Sequence, residues 1–297
     1  MIKSKWCFLK SFFIYIIFIN AIILWGVGHG YTQSFQSESF SPKVRVTYEF
    51  KFCPDTLNKQ DIVSKKMYLF ICDSVSVFLN AEKFIFDSIL SNEQSFKAFD
   101  LNSPDFSQKA QSLISNLPKN QDNSVIIKNF QDKSMRVIDL VGLDYYFYDE
   151  EDRLFEWKIV DGTTKFDSLL CKIAKVHFRG RNYSAMFSSD VGIPDGPYKF
   201  SSLPGLIVHL IDDRQEVEYR LLAIENYPLR LSLIGTKSGR KVSRQKMREL
   251  KLEYFLNPFA HAEINLKNFK MDDNQKATII ESRKKILAKK GNKIEKD

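Results

Sequence analysis

Glycine and proline are scarce, 12 and 9 among 297 residues, too few for a collagen-like, low-complexity or linker-rich chain. Histidine is scarcer: beyond His29 there are only His177, His209 and His261. No H-x-H, H-E-x-x-H or C-x-x-C occurs, so a metal site would need ligands gathered from distant positions, and neither a metal nor another cofactor is expected. The absence of G-x-S-x-G, a P-loop and G-x-G-x-x-G removes the local signatures of serine hydrolases, nucleotide hydrolases and dinucleotide enzymes. Past Cys7 the cysteines are Cys53, Cys72 and Cys171, an odd number that forms at most one bond and no disulfide scaffold. A turn near residue 60 would set Cys53 opposite about residue 66, which argues against a Cys53 to Cys72 bond. Cys171, behind Leu169-Leu170 at the head of a strand, is expected to be a buried structural thiol or half of one bond, and not a nucleophile.

What is present is aromatic and unevenly charged. Phe and Tyr number 25 and 12, a composition suited to half-buried pleated surfaces. The net charge of +8 sits at the ends. Lys3, Lys5 and Lys10 precede an uncharged run, and residues 265–297 hold ten Lys/Arg against five Asp/Glu, which leaves residues 31–264 neutral. A neutral body lacks the basic face of a nucleic-acid-binding domain, so no nucleic-acid partner is expected.

Residues 11–28, SFFIYIIFINAIILWGVG, follow the three lysines and lead through Gly28-His29-Gly30 into a polar stretch, the three-part pattern of a secretory signal. Residues 1–30 are read as a signal peptide cleaved after Gly30, with a periplasmic or extracellular mature protein. An uncleaved anchor is the alternative, because 18 residues just span the hydrocarbon layer.

Period-two alternation marks the strands. Val44, Val46, Tyr48, Phe50 and Phe52 alternate with Arg45, Thr47, Glu49 and Lys51, and the pattern returns at Phe155-Trp157-Ile159, at Ala174-Val176-Phe178 and at Tyr183-Ala185-Phe187. Further runs begin at Leu206, Val217 and Leu229, with turn signals at Asp161-Gly162, Arg179-Gly180, Asp212-Asp213 and Asn226-Tyr227-Pro228. Helical period appears at Phe106 to Leu117, from Ser243 towards Pro258, and from Asp273 to Lys290. The fold class expected is mainly β with a few helices: a single curved antiparallel sheet meandering over residues 124–235, an open half-barrel similar by fold-level analogy to lipoprotein carriers. The organisation expected is a signal at 1–30, one β-rich domain over 31–264 and a basic helical tail over 265–297. The tail, with Ile279, Ile280, Ile286 and Leu287 on one stripe, would dock on the body, fray, or make weak contact with a membrane surface, and the body is expected to fold without it.

From Trp157 to Ile207 the chain resembles the GLPGLI family of secreted Bacteroidota proteins, whose pattern runs from a tryptophan strand through C-x-x-A and F-x-G-R to I-P-x-x-x-G-P-x-K-F-x-G-L-P-G-L-I. Trp157, Cys171, Ala174, Phe178, Gly180, Arg181, Tyr183, Ala185, Ile193, Pro194, Gly196, Pro197, Lys199, Phe200, Leu203, Pro204, Gly205, Leu206 and Ile207 match. The resemblance implies a β-rich exported protein and no reaction. Ser202 replaces the first glycine of the family's name and Met186 a usual tryptophan. A serine there points to ordinary backbone at 202, and Pro204-Gly205 suits a type II turn.

The segment from Ile193 to Ile207 is either a rigid structural connector or the lining of a binding groove. Arg179, Arg181 and Tyr183, with Asp195 and Tyr198, are the candidate binding residues, the arginines being suited to an anionic head group. No catalytic residue is assigned. Asp212-Asp213 read as a solvated turn, and His209 inside LIVHLI as a satisfied sheet histidine. The function expected is a non-enzymatic envelope protein whose sheet offers an apolar face to a ligand or to a partner such as an outer-membrane receptor. The alternative is a hydrolase that gathers His177 and an acid from separate strands.

Overall fold

The computed structural model describes residues 37–90, 124–142, 144–151, 155–237, 239–259, 273–289 and 291–296. The signal at 1–30 and the helix expected from Phe106 to Leu117 lie outside the described residues. Their elements are β1 (Ser37–Phe40), β2 (Val44–Phe52), β3 (Val63–Ile71), β4 (Val75–Asn80), α1 (Ala81–Leu90), β5 (Val125–Asn129), β6 (Ser134–Val141), β7 (Asp144–Glu151), β8 (Lys158–Phe166), β9 (Leu169–Phe178), β10 (Arg181–Ser188), β11 (Leu206–Asp212), β12 (Val217–Asn226), β13 (Leu231–Ile234), β14 (Arg240–Lys241), α2 (Arg244–Leu256) and α3 (Asp273–Lys289).

Twelve strands make one open sheet in the order β14-β7-β6-β5-β4-β3-β2-β12-β11-β10-β9-β8. All neighbours are antiparallel except the two-residue β14 beside β7. The β-rich open sheet agrees with the sequence, but its path is not one meander. Two meanders, β2 to β7 and β8 to β12, join where β2 pairs with β12 from Phe52↔Val217 to Val44↔Asn226. The consecutive strands β7 and β8 therefore lie towards opposite margins. Alternation says which segments are strands, but not which distant strand each will meet. The sheet curls so that its margins approach: Glu150 on β7 accepts a hydrogen bond from Arg179, in the turn after β9, at 2.9 Å.

Each face has its own core. On the inner face Val46, Tyr48 and Phe50 join Leu69, Phe78, Tyr183, Leu210 and Tyr219, and are covered by Met247 and Leu250 of α2 and by Phe200 and Leu203 of the β10–β11 connector. On the outer face Phe70, Val77, Leu79 and Ile138 are covered by α1 and by a separate β1–β13 ribbon through Phe40, Leu231 and Leu233. Central strands are thus buried on both sides, which is why β4 reads VSVFLN with little alternation. The buried pair of Lys83 and Asp87, 2.7 Å apart, ties α1 to β13 through the Ile234 N–H.

Local expectations fare unevenly. Ser243 caps α2, its Oγ accepting the Lys246 N–H at 3.1 Å. Arg179 and Gly180, both at positive φ, make the tight β9–β10 turn. Asp161-Gly162 is not a turn. The pair lies within β8, where the register with β9 shifts between Val160 and Thr164 and Gly162 takes φ +101. Phe155 and Trp157 precede that strand and pack on Phe200, whereas Ile159 on the sheet margin is 52% exposed. Cys53, Cys72 and Cys171 are free. Since Phe52 pairs with Val63 and Val44 with Ile71, Cys53 and Cys72 flank opposite ends of the β2–β3 ladder. Cys171 is buried, and burial pushes its thiol up.

Two backbone expectations in the motif are overturned. Ser202 is not ordinary: it sits at φ +70 with its side chain exposed, and carries the local cost of a Cβ in that conformation. Gly205 makes no type II turn. Its N–H donates to the Leu203 carbonyl at 2.8 Å, and the chain passes so close to β10 that a Cβ would lie 2.2 Å from the Ser188 oxygen. Ser202→Gly should therefore raise stability by about 1 kcal/mol, and Gly205→Ala should lower it by about 3 kcal/mol. Denaturant melts of the two variants check both signs.

Candidate functional site

The motif residues build a rigid elbow over the inner face. Lys128 of β5, only 2% exposed, inserts beneath it, paired with Asp195 and donating to the carbonyls of Gly196 at 2.7 Å and Phe200 at 3.4 Å. The Tyr48 hydroxyl donates to the Ile207 carbonyl and the Trp157 indole to the Ser201 carbonyl, both at 2.8 Å. Gly196 has no room for a side chain, since a Cβ would meet the Ile207 side chain and the Phe200 oxygen. Pro197, Leu206 and Ile207 are buried, and Pro194 and Pro204 face solvent. Asp195 is thus part of the elbow's internal frame and does not share a site with the arginines.

The other four candidate residues converge on one place, and the chain itself occupies it. After α3, residues 291–296 run back across the body as an extended strap. The Asn292 N–H donates to the Pro54 carbonyl at 3.2 Å and its side-chain amide to the Cys53 carbonyl at 2.6 Å. Arg181 donates to the Asn292 side-chain oxygen at 2.7 Å and to the Lys293 carbonyl at 2.7 and 3.2 Å. The Tyr183 hydroxyl reaches the Ile294 carbonyl at 3.3 Å, and the Lys296 N–H meets the Arg179 carbonyl at 2.9 Å. Ile294 packs against the main core.

Glu295 is the anchor of the strap. One carboxylate oxygen takes the Lys199 ammonium and the Tyr198 hydroxyl, each at 2.7 Å, and the other takes Arg244 at 2.6 Å. Lys199 is fully buried, also paired with Glu150 at 2.7 Å and donating to the Tyr148 hydroxyl at 3.1 Å. Burial by itself would push the Glu295 carboxyl up, but Lys199 foremost, with hydrogen bonds from Lys199, Tyr198 and Arg244, holds it at about 2. Burial likewise works against the Lys199 ammonium, yet Tyr148, Glu295 and Glu150 keep its pKa above the ordinary value.

Arg181 is not a solvated hairpin arginine. It is 3% exposed and bonds Asp212 at 2.5 Å and Glu216 at 2.8 Å. Asp212 is correspondingly no solvated turn residue: it is 1% exposed and also accepts the N–H groups of Glu216 and Val217. His177 points to the other face, its Nδ1 2.8 Å from the Asn182 side-chain oxygen, so it joins neither Arg181 nor Asp195. His209 pairs with Glu218 at 2.8 Å. Among the described residues no group of three or more His, Cys, Asp or Glu is placed to hold a metal, and no helix is long and apolar enough to cross a membrane.

Glu295, Glu150 and Arg244 were missed by sequence reasoning. The usable signal was Ile294-Glu295, an apolar and acidic pair just past the helix-ending Gly291 in an otherwise basic tail. Stripe docking is partial. α3 fully buries no residue and touches the body at α2, with its stripe residues Ile279, Ile280 and Leu287 half-buried, while the segment after it reaches the main core.

Beside the strap the inner face keeps a cavity of about 430 Å³, lined by Phe50, Lys65, Met67, Phe78, Ser124, Ile126, Tyr198, Tyr219, Lys251 and Ile294. Its wall is mostly aromatic and aliphatic, with the two lysines and Ser124 as polar members, and Lys251 is paired with Asp139.

No protein-family model matches the chain, and no curated protein does. Among solved structures, PNGF-II in two space groups matches 72% of this chain at 10% identity and a TM-score of 0.47, over 34% and 33% of its own chain. The chain thus spans about a third of the length of those structures, and a likeness this distant carries no functional argument.

The strap's contacts argue against the expectation that the tail adds little to the stability of the body. Truncation after Asn265 would leave Lys199 one carboxylate short and remove Ile294 from the core, and it should lower the thermal midpoint well beyond a few degrees. The carboxyl of Glu295 is depressed from 4.5 to about 2. Its stabilisation is therefore complete above about pH 4.5 and is lost as the pH falls through about 2. It amounts to about 3 kcal/mol at neutral pH. Glu295→Gln should remove most of this and flatten the stability profile between pH 4.5 and 2, as measured by denaturant melts across that range.

Proposed function

We propose that the chain is an exported, GLPGLI-type envelope protein that binds a small apolar ligand in the cavity beside its strap and catalyses no reaction. The observation that carries this reading is the cavity wall, where Phe50, Met67, Phe78, Ile126 and Tyr219, from five neighbouring strands, share one space with Ile294. Its volume falls within the usual range of small-molecule sites, and its aromatic and aliphatic side chains are joined by polar groups that make up nearly half of the exposed wall, which suits a ligand with an apolar body and a polar end. The basic N-terminal pattern supports export to the periplasm or beyond. An outer-membrane receptor or another envelope protein is the partner class that fits this location, with weak membrane contact open to the basic surface of α3. The hydrolase alternative draws no support from His177, which stands apart from Arg181 and Asp195, and keeps only the His209–Glu218 pair across β11 and β12.

The test is binding of an environment-sensitive apolar dye such as N-phenyl-1-naphthylamine to the delipidated protein. Saturable binding is expected, weakened at least tenfold by Met67→Trp, which fills the cavity, with the fold checked by circular dichroism. Absence of binding to the wild type, or equal binding to the variant, would sink the reading.

A further inference from the structure

We propose that the groove holding residues 292–296 is a recognition surface for an extended segment of a partner protein that carries an apolar residue followed by a carboxylate, the chain's own Ile294-Glu295 being the resident occupant that such a segment displaces. The inference stands on the strap and is independent of the cavity reading.

The groove treats the strap as a peptide ligand. Four main-chain positions are held, by the Pro54 carbonyl, Arg181, the Tyr183 hydroxyl and the Arg179 carbonyl. Side-chain selection falls on Asn292, Ile294 and Glu295, with Lys296 adding a 3.5 Å contact to Glu216. Main-chain bonds supplying affinity and a few side-chain pockets supplying choice is the general logic of peptide recognition.

Emptying the groove costs stability but strands no buried cation. Arg181 keeps Asp212 and Glu216, and Lys199 keeps Glu150 and Tyr148, so departure of the strap leaves neither buried cation unpaired. Without Glu295, however, Arg179, Lys199 and Arg244 share the Glu150 carboxylate. That excess of positive charge favours an acidic residue in the incoming segment and repels a basic one. The strap, in turn, is delivered by a helix that buries no residue, whose contact with α2 includes Arg283 donating to the carbonyls of Tyr254 and Phe255. Its hold on the main core is therefore concentrated in the five residues that a competitor would replace.

A tethered occupant competes at an effective concentration on the order of millimolar, which sets the experiment. A fluorescein-labelled peptide of residues 291–296, GNKIEK, is titrated into the full-length wild type and into full-length Glu295→Ala, read by anisotropy and by thermal midpoint. The peptide should bind Glu295→Ala at least tenfold tighter than wild type and raise its midpoint, whereas a peptide with alanine in place of its glutamate should do neither. Equal binding to the two proteins, no binding to either, or indifference to the peptide glutamate overturns the proposal. Should Glu295→Ala fail to fold, Asn292→Ala, which retains the carboxylate clamp, serves instead and should bind the peptide several-fold tighter than wild type. Failure of both variants to fold would make the strap an inseparable part of the core and also overturns it. A wild type that is dimeric by light scattering, with Glu295→Ala monomeric, would identify the occupant as a second copy's strap and overturn the partner assignment.

Discussion

A lysine ammonium with no access to water must be neutralised by acids, and much of the architecture follows from meeting that demand at Lys199. Its carboxylates come from two places far apart along the chain. Glu150 lies on β7, towards one margin of the sheet, and Glu295 on the strap. Both can reach Lys199 only if the sheet curls and the strap lies across the opening. Arg179 from the β9–β10 turn and Arg244 from the head of α2 join the same two carboxylates. A connector, a turn, a helix, a sheet margin and the strap thus meet in one charge cluster, and loss of either acid would leave that cluster with too much positive charge.

The sequence was most legible where a strand had one wet face or a helix had a cap. β2 and α2 were readable almost to the residue because alternation and Ser243 are local signals. The two-meander path was not readable, since the pairing of β2 with β12 is decided by burial on both faces, which erases alternation in strands such as β4. The candidate residues were partly legible. Arg179, Arg181, Tyr183 and Tyr198 do form one site, but their charge and hydroxyl groups are directed at a segment more than ninety residues further along. No spacing rule links Tyr198 to Glu295. Asp195 looked like a site residue because an acid in a Pro/Gly loop often is one. Here it neutralises Lys128, a lysine that an alternating strand would be expected to turn to solvent.

The groove and the cavity share a wall. Tyr198 lines the cavity and bonds Glu295, and Ile294 lines it while its carbonyl is held by Tyr183. Whatever moves the strap therefore changes the shape of the cavity. A protein with one occupied groove adjoining one cavity has the physical means to couple two binding events through the five residues of the strap, whose strongest tie is Glu295 on the Lys199 cluster.

The irregular β8 has a consequence for life in a crowded compartment. It is the margin strand of a wide sheet, and its exposed Ile159 and Val160 would otherwise offer an incoming chain a sticky template. The break in register before Thr164, with Gly162 in a left-handed conformation, divides that margin into two short stretches, neither long enough to seed a continuous intermolecular ladder. An uninterrupted margin of that length would present a longer row of unpaired backbone groups beside the same exposed side chains.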